Sequence, residues 1–372
     1  MPWGLRTTDD RLRLMKLAQA FDPRRNALNA FRLALAISVI VWHSFPLTGH
    51  FMPSAAIQQF AGSIGVDGFF AISGYLITSS WLRHPRLRDY SVARGLRILP
   101  GFYVCMLITA FVIAPIGVAM QGGSATKLLL SSAPIEYVVR NAAVLMVQFD
   151  VGGTPTSVPW AGVWNGSLWT LGYELFCYIG VAAFGVAGLL GRRWFLPLMT
   201  ALAWSSLLLS TILQWPLAGM ESARLVLMFL TGALIHQWQH VIPARWSLVA
   251  ASAAIAVAAA WLPDYRLVAA FPVAYAVIVA GALVRDERFR LTTDLSYGVY
   301  IYAFPLQQLL VLGGLRQLHP LLFAVIATVV TLPTAALSWT LVEKPAMSMK
   351  SRLLRKWSVG SRGDQVKQTE TS

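Results

Sequence analysis

The chain has 372 residues, of which 56% are hydrophobic and only 12% are charged, and its formal net charge is +14. A soluble protein carries about a quarter charged residues, so this composition excludes an ordinary soluble domain and predicts an integral membrane protein. The basic residues lie between apolar runs and not in a groove with interleaved aromatic residues. We therefore interpret the net charge as a topology signal and expect no nucleic-acid partner.

In chain order, residues 1–28 form a basic segment without the apolar core of a signal peptide. We predict that this segment is cytoplasmic and that an all-α bundle of about ten transmembrane helices occupies residues 29–346. The basic residues 347–372 are predicted to form a partly disordered cytoplasmic tail. The predicted spans are residues 30–48, 62–82, 99–120, 166–190, 194–214, 222–240, 246–262, 267–284, 293–313 and 321–342.

The distribution of Lys and Arg predicts the orientation of the bundle. The N-terminal segment, the tail and every second loop carry 24 of the 30 basic residues, whereas the alternate loops carry 4. Because basic residues collect on the cytoplasmic side of a membrane, both termini are predicted to be cytoplasmic.

The first span, FRLALAISVIVWHS, carries Arg32 and His43 in an otherwise apolar run. Eleven residues at about 100° each amount to almost three full turns, so the two side chains share one helix face, about 16 Å apart along the axis. With a cytoplasmic N-terminus, Arg32 is predicted at the cytoplasmic edge and His43 in the outer half of the membrane.

Asp67 in the second span and Glu174 in the fourth are predicted at a depth similar to that of His43. A charge inside a membrane costs at least about 2.5 kcal/mol on insertion scales, so each needs a partner or a water-filled cavity. We predict that the imidazole and the two carboxylates form a general-base site. The alternatives are that His43 is a hydrogen-bond partner between helices and that Asp67 caps the second span.

Arg94 and Arg97 are three residues apart at the start of the third span, so they are neighbours on one helix face. With Arg32 they form a predicted basic cluster that suits phosphate groups, because a guanidinium group binds two phosphate oxygens at once. The alternative is that these arginines are interfacial anchors that reach lipid headgroups.

Residues 121–165 are predicted to lie outside the membrane, with an amphipathic surface helix broken near Pro134. A turn-forming sequence, VGGTPTSVPWAGVWNG, ends this segment. Trp169 and other tryptophans near the outer mouth suit sugar stacking, although Trp also collects at membrane interfaces in general. Cys105 and Cys177 have no CxxC spacing, so the sequence predicts no metal site.

Six motifs follow one another along residues 28–346. They are Arg32 and His43 with ten residues between them, GVDGFFAISGYLI, RGLRILP, WTLGYELFCY with Glu174, SYGVYIYAFP, and Glu343-Lys344-Pro345. In this order they resemble the acyltransferase-3 family of membrane acyltransferases. The sequence departs from the family at Ala303, where the late motif usually has a His, so no role is carried over to that position.

The resemblance implies transfer of an acyl group, usually acetyl from acetyl-CoA, to a hydroxyl of an extracytoplasmic saccharide at a bacterial inner membrane. The saccharide would be an O-antigen, an exopolysaccharide or a lipid-linked glycan. In this scheme Arg32, Arg94 and Arg97 bind the CoA phosphates, and His43 removes the proton of the sugar hydroxyl.

The same scheme assigns roles to three further side chains. Glu174 or Asp67 would orient the imidazole, and Ser73 would donate to the oxyanion or serve as a small packing residue. A covalent acyl-His intermediate is the variant scheme. The competing hypotheses are a transporter or flippase, whose inverted repeat is not visible in the sequence, and an exporter of acetyl groups to a separate enzyme.

Overall fold

The structure is a computed structural model that describes residues 15–213 and 220–354. This part of the chain consists of helices, turns and loops without a β-strand, which confirms the predicted all-α class. The predicted cytoplasmic segment and tail lie partly outside the described residues, since residues 1–14 and 355–372 are not among them.

Each predicted span overlaps a helix, and we number these longer helices of the described part α1 to α10. The first π-helical turn, Thr109–Ile113, lies within α3, and the second, Trp339–Glu343, lies within α10. The helices are α1 Leu28–Thr48, α2 Ala55–Arg83, α3 Leu87–Met120, α4 Trp169–Val186, α5 Phe195–Leu213, α6 Met220–Gln237, α7 Trp246–Ala259, α8 Arg266–Leu283, α9 Ser296–Leu312 and α10 Pro320–Leu354.

Within the described residues, seven helices are long and apolar enough to cross a membrane, namely α1 to α5, α8 and α10. The other three are α6, which carries Glu221 and Arg224, α7 with 14 residues and α9 with 17 residues. The apolar helices confirm a multi-pass membrane protein. The number of ten spans and the cytoplasmic location of both termini stay predictions.

The ends of α1 and α2 are set by local sequence. Gly49 follows α1 in a left-handed conformation with φ of 81°, which glycine adopts without strain. The Ser54 hydroxyl caps α2 by accepting the N–H of Ile57 at 3.3 Å. The short turn between α1 and α2 is therefore held at both ends.

Helices α2 and α6 touch through their backbones. A Cβ atom on Gly74 would lie 1.9 Å from the carbonyl oxygen of Phe229, and a Cβ atom on Gly232 would lie 1.9 Å from that of Ala71. Glycine on both sides is what allows this approach, as is common between helices in membranes. The contact fixes α2, which carries several of the predicted site residues.

Helix α9 packs against α1, α3 and α10, and most of its side chains are buried. Its Gln307 amide donates to the Ile40 carbonyl and to the Ser44 hydroxyl on α1, each at 3.0 Å. The amide of Gln308 donates to the carbonyls of Trp160 and Val163, each at 2.8 Å. These two glutamines attach α1 and the loop before α4 to the same central helix.

The segment between α3 and α4 contains two short helices, Ala125–Leu129 and Ala133–Arg140. Pro134 lies in the first turn of the second helix, which confirms the predicted break. Tyr137 on that helix is fully buried, whereas Leu130 between the helices is 84% exposed. One side of the segment therefore packs on the bundle.

Candidate active site

His43 lies near the end of α1 and is almost fully buried. The edge-to-face contact of its ring with Phe304 on α9 has a centroid distance of 5.0 Å, and the Trp160 ring lies 6.0 Å away. The imidazole also interacts with the backbone carbonyl of Val39, one helical turn earlier. A neutral imidazole at this position has one ring nitrogen that can accept a proton.

His43 lines a cavity of about 390 Å³ between α1, α2, α4, α9 and the loop before α4. Trp42, Trp160 and Trp169 are among its walls. The predicted Trp169 thus lies at the same cavity as His43. Ser167 contributes a hydroxyl to the lining, and its oxygen donates to the Tyr300 carbonyl at 3.0 Å.

Arg32 and Glu174 line a second, smaller cavity of about 30 Å³, together with Phe69, Thr170 and Tyr297. We call this the Glu174 cavity and the first the His43 cavity. Val66 and Tyr300 line both cavities, so the two are adjacent. The Tyr300 hydroxyl donates to the Ser167 carbonyl at 2.8 Å and is also bonded to the Thr170 hydroxyl, which holds this dividing side chain in place.

Glu174 receives two hydrogen bonds on one carboxylate oxygen. Ser73 on α2 donates to Oε1 at 2.9 Å, and Tyr178, one turn later on α4, donates to the same oxygen. In the structure Ser73 is therefore a hydrogen-bond donor to Glu174. Two donors on one oxygen hold the carboxyl group in a fixed position.

The predicted cluster of Arg32, Arg94 and Arg97 also contains carboxylates, which pair with two of the three arginines. Asp294, just before α9, binds Arg32 at 2.7 Å and also binds Arg97 through the same oxygen. Arg97 binds Glu343, at the end of the π-helical turn of α10, at 3.1 Å. The guanidinium of Arg97 further lies over the rings of Tyr297 and Trp339, with distances of 5.5 and 5.8 Å to the ring centroids.

Arg94 is the member of the cluster that makes no ion pair with the described residues. Its Nε is buried without a hydrogen-bond partner there. Arg32 and Arg97 are therefore held by carboxylates, while Arg94 keeps its charge available for an anion.

Asp67 is not brought to His43. Its carboxylate binds the guanidinium of Arg266 at 2.8 Å and accepts from the Tyr265 hydroxyl, both at the start of α8. Asp67 lines neither the His43 cavity nor the Glu174 cavity. Adjacent positions on a helix point in different directions, so Val66 faces the cavities while Asp67 faces α8.

Ala303 packs in an apolar cluster with Ala36 and Ile40 of α1. This position therefore presents a methyl group where the late motif of the family usually has an imidazole. The next residue, Phe304, supplies the ring against His43.

Sequence reasoning missed Asp294, Tyr300, Gln307 and Gln308. The two adjacent glutamines, each fully buried, were a visible signal, because amides inside an apolar helix need partners as ionisable groups do. Asp294 lies just before α9, and an acidic residue at a helix start is common, so its position in the sequence does not predict a bond to two arginines.

No group of three or more His, Cys, Asp or Glu side chains within residues 15–213 and 220–354 has the arrangement of a metal site. The arrangement at the centre is instead an imidazole in a cavity with aromatic walls, next to a smaller cavity that leads to Glu174 and the arginines. Such a site suits proton transfer from a bound hydroxyl.

Comparison with known proteins agrees with this chemistry. A family model described as an acyltransferase domain matches residues 25–340. The chain is 30% identical to an O-acetyl transferase of Shigella phage Sf6 over 349 residues, which cover 88% of this chain and 98% of the relative. It is 25% identical to nodulation protein 10 of Rhizobium leguminosarum bv. viciae over 364 residues, which cover 89% of this chain and 95% of the relative.

No solved structure matches the chain. The family match extends over most of the sequence and contains His43, Glu174 and the three arginines. The chain therefore belongs to the acyltransferase-3 family, and it is an acyltransferase.

Proposed function

We propose that this protein transfers an acetyl group from acetyl-CoA on the cytoplasmic side to a hydroxyl of an extracytoplasmic saccharide. The relative from phage Sf6 is an O-acetyl transferase, which supports the acetyl group and an oxygen acceptor. The observation that carries the proposal is the pair of adjacent cavities, one reaching Arg32 and Glu174 and the other reaching His43. A donor and an acceptor that enter from opposite ends meet between them.

The donor would enter at the arginine end. Arg94 has no carboxylate partner in the described part of the chain and would take the first phosphate of CoA, with Arg97 and Arg32 beside it. The extended pantetheine arm would then pass Glu174 and the Val66–Tyr300 wall. Since the Glu174 cavity holds only about 30 Å³, this passage must widen when the donor binds.

The acceptor would enter at the His43 end. The His43 cavity, with about 390 Å³, is in the size range of small-molecule sites, and its indole walls offer flat apolar surfaces to a sugar ring. An O-antigen, an exopolysaccharide or a lipid-linked glycan fits this description equally well.

In the direct scheme, the sugar hydroxyl oxygen attacks the carbonyl carbon of the thioester while its proton passes to the free ring nitrogen of His43. The tetrahedral intermediate then expels the CoA sulfur as the C–S bond breaks. The imidazolium returns its proton to the thiolate, so the products are an acetyl ester and CoA.

Glu174 would act on the charge of the site rather than as a direct partner of the imidazole. No hydrogen bond joins the two side chains among the described residues, and each lines its own cavity. A carboxylate across the Tyr300 wall stabilises a transient imidazolium in a medium of low dielectric constant.

The test is acetyl transfer by purified protein in detergent, from labelled acetyl-CoA to surface glycan extracted from the host cell. The His43→Ala variant should lose about 100-fold to 10,000-fold in rate, which is the usual contribution of a general base. His240→Ala is the matched control, since His240 is exposed and lines neither cavity.

Two results would contradict the proposal. Full transfer by His43→Ala would exclude the imidazole as the base. Wild-type protein that transfers nothing in detergent, but moves acetylated glycan across a vesicle membrane, would favour the transporter. Labelled acetyl retained on His43 when the acceptor is withheld would replace the direct scheme by the covalent one.

A further inference from the structure

A third cavity opens beside the His43 cavity, and we call it the Phe51 cavity. It has a volume of about 400 Å³ and lies between the end of α1, the turn that follows, the first residues of α2 and the loop before α4. Trp42 and Trp160 line both it and the His43 cavity. The two cavities are therefore neighbours that share two indole walls.

The lining of the Phe51 cavity combines flat aromatic surfaces with polar groups at its mouth. Phe45 and Phe51 add two further rings to the indoles, and Phe51 is 86% exposed although it is a large apolar side chain. His50 and Gln58 bring an imidazole and an amide. A sugar ring matches this mixture, because its C–H faces pack on aromatic rings while its hydroxyls bond to polar side chains.

The walls of the Phe51 cavity are held in place by polar contacts. His50 Nδ1 is bonded to the Thr48 hydroxyl at 2.9 Å, which leaves the other ring nitrogen for a ligand. The Gln308 amide holds the carbonyl of Trp160 at 2.8 Å. Two parts of the lining are thus held by contacts within the protein, and a group that is already held loses less entropy when a ligand binds.

We propose that the Phe51 cavity is a second saccharide subsite. The sugar residue that receives the acetyl group occupies the His43 cavity, and its neighbour in the glycan occupies the Phe51 cavity. This inference rests on the proposed function and narrows its substrate class to glycans of at least two sugar residues. The opposite ends of the site then have different ligands, phosphates at Arg94 and carbohydrate at Phe51.

The experiment measures transfer from labelled acetyl-CoA by the full chain in detergent. Methyl glycosides of common hexoses are screened first, and the best acceptor is then compared with disaccharides that extend it by one residue through different linkages. The expected kcat/KM is at least about tenfold higher for one of these disaccharides than for the monosaccharide, and tenfold corresponds to about 1.4 kcal/mol.

Phe51→Ala and Gln58→Ala test the assignment to this cavity. Each should reduce the ratio of disaccharide to monosaccharide kcat/KM to near one. Both side chains are exposed, so their replacement does not threaten the fold. Ile57→Ala is the control, because Ile57 is an exposed neighbour on α2 that lines none of the three cavities, and its ratio should equal that of the wild type.

The proposal is overturned if the wild type shows no preference for any extended acceptor, or if the preference survives both substitutions. It is also overturned if Phe51→Ala lowers transfer equally to both acceptors and only in phospholipid vesicles, because the cavity would then be a lipid contact. In each of these results the wild type still transfers acetyl to the monosaccharide, so the proposed function stands. Absence of transfer to every acceptor would instead refute the proposed function, and the subsite with it.

Discussion

Asp294 is the residue that joins two of the predicted phosphate-binding arginines. One of its carboxylate oxygens binds Arg32 and Arg97, and the other accepts the backbone N–H of Ser296 at 3.2 Å and the Ser296 hydroxyl. Both guanidinium groups are largely buried. In such surroundings each charge depends on its partner, because water is not available to replace it.

We expect Asp294→Asn to destabilise the protein by about 3 kcal/mol, since removal of one partner from a buried ion pair leaves an uncompensated charge. The measurement is the thermal unfolding midpoint of protein in detergent, which should fall by several degrees. Glu287→Gln is the matched control. Its carboxylate is 88% exposed and binds Arg290 at 3.1 Å, and exposed pairs contribute about 0–1 kcal/mol.

An unfolding midpoint for Asp294→Asn as close to the wild type as that of Glu287→Gln would contradict this prediction. It would mean that water or lipid phosphate replaces the carboxylate. Kinetics of acetyl transfer by the same variant distinguish an effect on stability from an effect on donor binding. A weakened donor site raises the KM for acetyl-CoA and leaves kcat unchanged.

At the scale of elements, the α2–α6 contact decides where Ser73 and Val66 lie. Both residues are on α2, and its position depends on backbone contact at Gly74 and Gly232. A displacement of α2 would move the Ser73 hydroxyl away from Glu174. The packing of α6 on α2 therefore affects the site through the hydrogen bond between Ser73 and Glu174.

We expect Gly232→Ala to separate α2 from α6 and to lower both the unfolding midpoint and the transfer rate, the rate by at least about tenfold. The added methyl group would lie 1.9 Å from the Ala71 carbonyl oxygen, and a backbone atom cannot turn aside as a flexible side chain can. Gly180→Ala on α4 is the control, because there the nearest atom is a ring carbon of Phe184 at 4.0 Å.

The control should be as stable as the wild type or slightly more stable, since alanine favours a helix by up to about 1 kcal/mol over glycine. The prediction is wrong if Gly232→Ala has the same unfolding midpoint and transfer rate as Gly180→Ala. In that case α2 and α6 could separate without an effect on stability or transfer. The backbone contact would then have no part in holding the site.

At the scale of the whole molecule, the ion pairs agree with the alternation of spans. Four charged residues lie near ends of predicted spans that are all predicted on the cytoplasmic side, and the structure brings them together: Arg32, Arg97, Asp294 and Glu343. Asp67 and Arg266 lie near the ends of spans predicted on the outer side, and they also form an ion pair. Contacts of this kind connect ends on one side of the bundle, whichever side that is.

Cysteine labelling of spheroplasts tests which side is outside. Leu130→Cys should react with a membrane-impermeant maleimide, whereas Glu287→Cys should react only after the membrane is opened. Both positions are more than 80% exposed, and the native Cys105 and Cys177 are buried, so the background should be low. The reverse pattern would place the arginine end outside and would contradict entry of acetyl-CoA from the cytoplasm.

The sequence by itself was enough for the class of the protein, the places of the helices and the family. Long apolar runs leave few alternatives to membrane helices, because every backbone polar group in lipid needs an internal partner. The shared face of Arg32 and His43 also followed from helix geometry alone. These are local properties, which depend on the order of residues within one helix.

Only the tertiary structure decided which charges meet. The predicted depth of Asp67 in the membrane was similar to that of His43 and Glu174. The rotation of α2, however, turns Asp67 toward Arg266, Val66 toward the cavities and Ser73 toward Glu174. The rotation of a helix about its own axis cannot be predicted from the sequence pattern of that helix alone. This angle is set by contacts with other helices, such as the contact of Gly74 with Phe229. For the same reason the sequence did not predict that Asp294 would bind Arg32 and Arg97 or that Gln308 would bind the carbonyl of Trp160.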